Sequence, residues 1–184
     1  MINLSSLKGQ RIAVMGLGKT GLSSCLSLIA ANVDVVAWDD QEHERIQAVS
    51  LGIPIADFSV IPLNDFDMMI WSPGIPHHFP QRHPVALRAE VENVPLVSDV
   101  DVLCRIQSQA DFIGITGTNG KSTTTALVAH ILRAFRPTEM GGNIGIPVLD
   151  LAPLDAGGTY VIEMSSYQIE LTPSFAPRGA ILLN

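Results

Sequence analysis

The chain has 184 residues, a formal net charge of −7 and 47% hydrophobic residues, which supplies a sizeable core and excludes intrinsic disorder. Only 11 Lys and Arg face 18 Asp and Glu, so no nucleic-acid partner is expected, and anionic ligands must be held locally by helix ends and single lysines. Cys25 and Cys104 lie far apart in apolar helical patterns and read as reduced thiols; with no signal-peptide pattern and no apolar window of membrane-spanning length, the expected setting is the cytoplasm, with no membrane partner.

From one end to the other, short apolar runs alternate with amphipathic stretches, the rhythm of βαβ units and a parallel sheet. Arg11–Met15 reads as a strand that runs into Gly16-Leu17-Gly18-Lys19-Thr20-Gly21, with a helix over Thr20–Ala31. This is G-x-G-x-x-G between a strand and a helix: Gly16 makes the tight turn, Gly18 lets the backbone approach a pyrophosphate, and Gly21 permits close helix–strand contact. Alone, the pattern suggests a dinucleotide oxidoreductase, or glycines that serve packing only. Val33–Trp38 is a strand that ends at Asp39 and Asp40, where an acid contacts a ribose or base, and Gln41–Leu51 is a helix. Gly52–Pro62 is ambiguous.

Strand Asp67–Trp71 leads into Ser72-Pro73-Gly74-Ile75-Pro76. The carboxyl end of a strand is where open α/β sheets place ligands, although a Pro-Gly turn without a ligand reads equally well. His77, His78 and His83 follow in a Pro-rich segment that reads as a solvated loop rather than a metal site. A helix at Pro84–Asn93 and a strand at Pro95–Ser98 complete the first series, so a domain boundary is expected near Ser98, giving domains of 1–98 and 99–184.

The second series opens with a helix at Val100–Gln107 and a strand at Asp111–Thr116. Next comes Gly117-Thr118-Asn119-Gly120-Lys121-Ser122-Thr123, with a helix from Lys121 to Ala134. Glycines let successive N–H groups surround phosphate oxygens, the helix start adds its dipole, Lys121 reaches the β- and γ-phosphates, and the Ser122 hydroxyl joins a magnesium shell. This is a nucleoside triphosphate loop, although Ile115 replaces the first glycine of the general pattern. Gly141-Gly142-Asn143-Ile144-Gly145 is too Gly-rich for an element interior and reads either as a loop that approaches a ligand or as a plain loop. Strand Thr159–Glu163 ends in a carboxylate placed to hold or orient magnesium. Ser165-Ser166-Tyr167-Gln168 would cap a helix and turn polar groups into the cleft. Gly179–Leu183 is a last strand.

Taken together, Gly16–Ser23, Ser72–Ile75, Gly117–Thr123, Gly141–Gly145 and Glu163–Glu170 resemble, in order and spacing, the Mur ligase family of amide ligases of peptidoglycan synthesis, and within it the D-glutamate-adding members. The resemblance implies a Rossmann-like parallel-sheet domain followed by an incomplete P-loop ATPase-type α/β domain. It also implies that the first glycine turn holds the uridine diphosphate of a substrate, UDP-N-acetylmuramoyl-L-alanine, rather than a nicotinamide cofactor. Gly18, Lys19, Thr20, Asp39, Asp40, Ser72, Gly74, Asn143, Ser165 and Gln168 would serve that substrate. Gly117 to Thr123 would hold ATP, Ser122 and Glu163 magnesium, and Lys121 and Glu163 would be catalytic.

The implied reaction is attack of the substrate carboxylate on the γ-phosphate of ATP, then capture of the acyl phosphate by the amine of D-glutamate, in a monomeric full-length enzyme. The resemblance further implies an amino-acid-binding third domain beyond Asn184, and an isolated 1–184 that binds nucleotide without completing the reaction. An NAD-dependent oxidoreductase, which leaves Gly117–Ser122 unexplained, and a non-catalytic nucleotide-binding module are the rival readings.

Overall fold

A computed structural model of the chain describes residues 1–143 and 145–184; Ile144, part of the Gly141–Gly145 motif, lies outside the described residues. The chain divides into two compact units, one of Leu4–Asp99 and one of Val100–Asn184 together with Met1–Asn3.

The first unit contains β1 (Arg11–Met15), α1 (Lys19–Ala30), β2 (Asp34–Trp38), α2 (Glu42–Ser50), β3 (Met68–Trp71), α3 (Pro84–Val91) and β4 (Leu96–Val97). Its four strands are parallel in the order β2-β1-β3-β4. β1 is central, and Ile12, Ala13, Val14 and Met15 are all buried. That is why this strand is a continuous apolar run rather than an alternating one: both faces of a parallel sheet are covered. α1 packs through Gly21, Ser24, Cys25 and Leu28, one stripe at helical spacing.

The α-helices α1, α2 and α3 stop in the same way. Asn32, Gly52 and Asn93 take positive φ of 56°, 77° and 57°. The next residue, Val33, Ile53 or Val94, then donates its N–H back to Leu28, Ala48 or Ala89. This is the Schellman closure, in which a left-handed residue turns the last amides onto carbonyls the helix leaves over. The buried Val33, Ile53 and Val94 anchor each turn and lead the chain back under the sheet. The ambiguous stretch contributes no strand, only an isolated parallel bridge between Ala37 and Ile55.

α4 (Asp99–Ile106) begins on the last residue of the first unit and otherwise belongs to the second, which also contains β5 (Asp111–Gly117), α5 (Lys121–Arg133), β6 (Thr138–Gly142), β7 (Thr159–Glu163), α6 (Ser166–Glu170) and β8 (Gly179–Leu183). The strands of this second unit are also parallel, in the order β6-β7-β5-β8. Ile115, Ala129 and Val161 form the centre of the core on the α5 side, packed by Ile113, Val128, Leu132, Met140, Ile181 and Leu183. β6 corrects the sequence reading. Gly141 and Gly142 are strand residues, and they are glycine because a Cβ on Gly142 would overlap the Glu163 carbonyl oxygen on β7.

Cys25 and Cys104 are free and buried, and burial pushes both thiols up to about 12. They are packing groups rather than nucleophiles, since a reactive cysteine needs its thiolate.

Candidate functional sites

In the first unit, β1 ends at Gly16, whose N–H donates to the Trp38 carbonyl on β2 at 2.8 Å. A Cβ on Gly21 would overlap the Gly16 carbonyl oxygen, so the first turn of α1 lies directly on the end of β1. Gly18 is the α1 N-cap, with extended backbone and nothing within 4 Å of a Cβ placed there. The two glycines thus do different things: Gly21 closes the fold and Gly18 keeps open the approach to the positive end of a helix dipole. Gly21→Ala is expected to prevent stable folding of this unit. Gly18→Ala should keep the melting temperature within about 3 °C of wild type while weakening binding of a diphosphate ligand. Parallel thermal melts and calorimetry on the two variants check this, and equal loss of stability in both would contradict it.

Asp39 ties the turn to the neighbouring loop. Its Oδ2 accepts from the Leu17 N–H at 2.7 Å and its Oδ1 from the Gln41 N–H at 2.8 Å. Arg45 supports the same loop, with Nη1 donating to the Asp39 carbonyl at 2.7 Å and the Asp40 carbonyl at 2.8 Å while its guanidinium lies 4.5 Å from the Trp38 ring centre. On the other side, the Ser72 N–H donates to Met15 at 2.9 Å and the Trp71 Nε1–H to the Ile75 carbonyl at 2.8 Å. Between these walls is a cavity of about 380 Å³ that includes Gly16, Gly18, Asp39, Asp40, Ser72 and Gly74 in its lining. It combines a helix N-terminus with an acidic rim. Such a site suits a ligand carrying phosphate at one end and N–H or O–H donors at the other. Lys19 and Thr20 stand in the first turn of α1, Lys19 exposed and Thr20 half-buried.

The histidine segment is a solvated loop only in part: His78, Phe79, Pro80 and Gln81 are exposed, as its composition suggests, but its first and last histidines are not. His77 is buried, 3% exposed, with its ring 5.1 Å from that of His78. His83 lines the same cavity as Asp40 and is a site residue the sequence reading did not include. The pattern His83-Pro84 before a helix was the available signal, since Pro favours the first helical position and the residue before it caps.

In the second unit, β5 delivers Gly117 to a turn whose Gly120 is the left-handed N-cap of α5. Lys121 Nζ donates to the Gly117 carbonyl at 2.8 Å and the Thr118 carbonyl at 3.2 Å, so the ammonium lies across the loop. Ser122 Oγ donates to Glu163 Oε2 at 2.9 Å. Glu163 is only 1% exposed, and a carboxylate that deep in the protein calls for a positive partner. A hydroxyl beside a carboxylate offers the hard oxygen donors that Mg²⁺ prefers. The Asn119 N–H donates to the Asn184 carbonyl at 3.1 Å, and Thr118, Ser122 and Thr123 are exposed around the helix start.

Asn143, Ser165 and Gln168 belong to this second unit. The exposed Asn143 donates its N–H to the Glu163 carbonyl at 2.9 Å. Ser165 and Gln168 form a reciprocal capping box at the start of α6, with Gln168 N–H to Ser165 Oγ at 3.2 Å and Ser165 N–H to Gln168 Oε1 at 3.1 Å. Gln168 is 1% exposed, so its side chain serves the helix rather than an open cleft.

Residues 10–97 match the family model "Mur ligase MurD-like, N-terminal domain", and residues 115–184 match "Mur ligase middle domain". The chain belongs to the Mur ligase family. Among curated relatives of this Mur ligase chain, the UDP-N-acetylmuramoylalanine--D-glutamate ligases of Paramagnetospirillum magneticum and Rhodospirillum rubrum are 50% and 47% identical over 185 and 190 residues, covering 100% of the chain and 40% of each relative. The chain thus spans about 40% of the length of these proteins. Among solved structures, UDP-N-acetylmuramate-alanine ligase from Thermotoga maritima aligns with TM-score 0.54 at 28% identity, over 94% of this chain and 41% of that one. The UDP-N-acetylmuramate:L-alanyl-gamma-D-glutamyl-meso-diaminopimelate ligase of Neisseria meningitides shares the fold at TM-score 0.56 and 20% identity, over 94% of this chain and 60% of that one. The Rossmann-like parallel-sheet reading of the sequence thus agrees with both sheets and with these neighbours.

Proposed function

We propose that the chain is the nucleotide-handling part of an ATP-dependent ligase that joins D-glutamate to UDP-N-acetylmuramoyl-L-alanine in the cytoplasm, with residues 1–98 taking the UDP substrate and 99–184 taking ATP. The observation that carries this reading is the difference between the two glycine turns. The turn at Gly16–Gly21 faces an acidic rim of Asp39 and Asp40 suited to ribose and base donors. The turn at Gly117–Thr123 carries Lys121 and the Ser122–Glu163 pair, an arrangement for a triphosphate and its metal.

The chemistry follows from charge. The substrate carboxylate is ionised at neutral pH, so its attack on the γ-phosphate needs no general base; the obstacle is repulsion between anions. Lys121, exchanging its two loop carbonyls for phosphate oxygens, and the first-turn amides of α5 offset that repulsion, and more strongly as negative charge spreads in the transition state. Ser122 and Glu163 would hold magnesium, which when bound neutralises phosphate charge and polarises the P–O bond. That first step, attack on the γ-phosphate, leaves ADP; the D-glutamate amine then attacks the acyl carbon of the acyl phosphate and expels inorganic phosphate, giving the amide. Completion of this sequence is proposed for the whole protein.

Calorimetric titration of the 184-residue chain with UDP-N-acetylmuramoyl-L-alanine, with ATP and Mg²⁺, and with NADH is the test. Separate binding of the first two, and no heat with NADH, is the expected result. Binding of NADH without the UDP compound would turn the assignment to an oxidoreductase.

A further inference from the structure

His83 stands where two walls of the Gly16 cavity meet, and each of its ring nitrogens is committed. Nδ1 accepts the Val85 N–H at 3.2 Å, which caps α3 above Pro84 at the first helical position. Accepting there places the proton of the neutral ring on Nε2. Nε2 lies 2.9 Å from Asp40 Oδ2 and donates to it. The ring also meets the Trp71 indole edge-on at 5.7 Å, and the His83 N–H donates to the Pro76 carbonyl at 3.0 Å.

The two partners differ in how tightly they are held. The His83 side chain is 16% exposed, whereas that of Asp40 is 59% exposed. An exposed aspartate is a mobile acceptor, and a ligand that uses it must first order it. Here the backbone of Asp40 is fixed by Arg45 Nη1 and its carboxylate by His83, so both ends are set before any ligand arrives. Ordering in advance lowers the cost of binding.

We propose that His83 is a positioning residue for the nucleotide: its Nε2–H clamps the Asp40 carboxylate on the cavity rim so that the ligand meets a fixed acceptor. This rests on the reading of the cavity as a uridine-nucleotide site. The ring's two bonds can be separated by substitution. In His83→Asn the side-chain oxygen replaces Nδ1 as the cap but cannot reach Asp40. In His83→Gln the longer amide places a donor near the former Nε2 position and gives up the cap.

Titration of each variant with UDP, alongside thermal melts, tests the assignment. H83N should bind UDP about three- to tenfold more weakly than wild type with an unchanged melting temperature. H83Q should bind within about twofold of wild type while melting about 4–8 °C lower. Nitrogen NMR of the wild-type ring should show the Nε2–H tautomer. Wild-type affinity in H83N, or a loss of affinity in H83Q as large as in H83N, would overturn the clamp while leaving the cavity a uridine site. No binding of UDP by the wild-type chain would instead remove the reading of the cavity and the clamp with it.

Discussion

Lys121→Ala is expected to weaken ATP binding about a hundredfold while leaving binding of UDP-N-acetylmuramoyl-L-alanine within about twofold of wild type. The ammonium already lies over the loop, 2.8 Å from the Gly117 carbonyl and 3.2 Å from the Thr118 carbonyl. A triphosphate replaces those two neutral acceptors with charged ones, and the gain is the difference between ordinary and charge-assisted hydrogen bonds. Nothing else in the loop supplies a full positive charge, because glycine, threonine, asparagine and serine offer only dipoles. In the full-length protein the same change should abolish turnover. Calorimetry with each nucleotide separates the effects, and equal loss of both ligands would show that the sites are assigned to the wrong units.

Gly117→Ala should lower the melting temperature of the second unit by more than about 10 °C and remove its ATP binding. The cause is β8 rather than the phosphate. Gly117 has φ of +136°, and a Cβ there would overlap the backbone of Leu183, its register partner at the end of the β5–β8 pairing. The Asn119–Asn184 hydrogen bond holds the next part of the loop to the same segment. A methyl group at 117 therefore has to push β8 aside or bend the loop, and neither is available cheaply when backbone meets backbone. Gly120→Ala is the control. Its φ of +78° carries a left-handed penalty of about 1–2 kcal/mol, but the nearest atom to its Cβ is Leu183 Cδ1 at 3.7 Å. A G117A protein that melts and binds ATP like wild type would refute this account.

The strands were legible where both faces of a parallel sheet are covered. Ile12 to Met15 and Tyr160 to Ile162 are apolar at every position, and the structure buries each of them. Helix ends shifted by a residue or two because Asn32 and Asn93 stop their helices by taking a left-handed conformation, a choice an asparagine does not announce. β6 was hidden for the opposite reason. Glycine there serves close passage of Gly142 past Glu163, and that neighbour is 21 positions away in the chain.

In the candidate sites, the placement of Gly16, Gly18, Gly120 and Lys121 at strand–turn–helix junctions was readable because those elements are contiguous in the chain. Asp39 was readable as an acid at the end of a strand, but its hold on Leu17, 22 residues distant, required the fold. His83 was hidden by a segment whose proline content suggested solvent. Ser165 and Gln168 carried both a capping and a ligand reading, and only burial of Gln168 separates the two.

The placement of the two tryptophans has a practical result. Trp38 ends β2 under the Arg45 guanidinium and Trp71 ends β3 against His83, and the chain has no others. All intrinsic indole fluorescence therefore originates in the first unit, beside the cavity with the acidic rim. Emission is a built-in reporter of occupancy there, while the lysine loop sits in a unit that is optically silent at indole wavelengths.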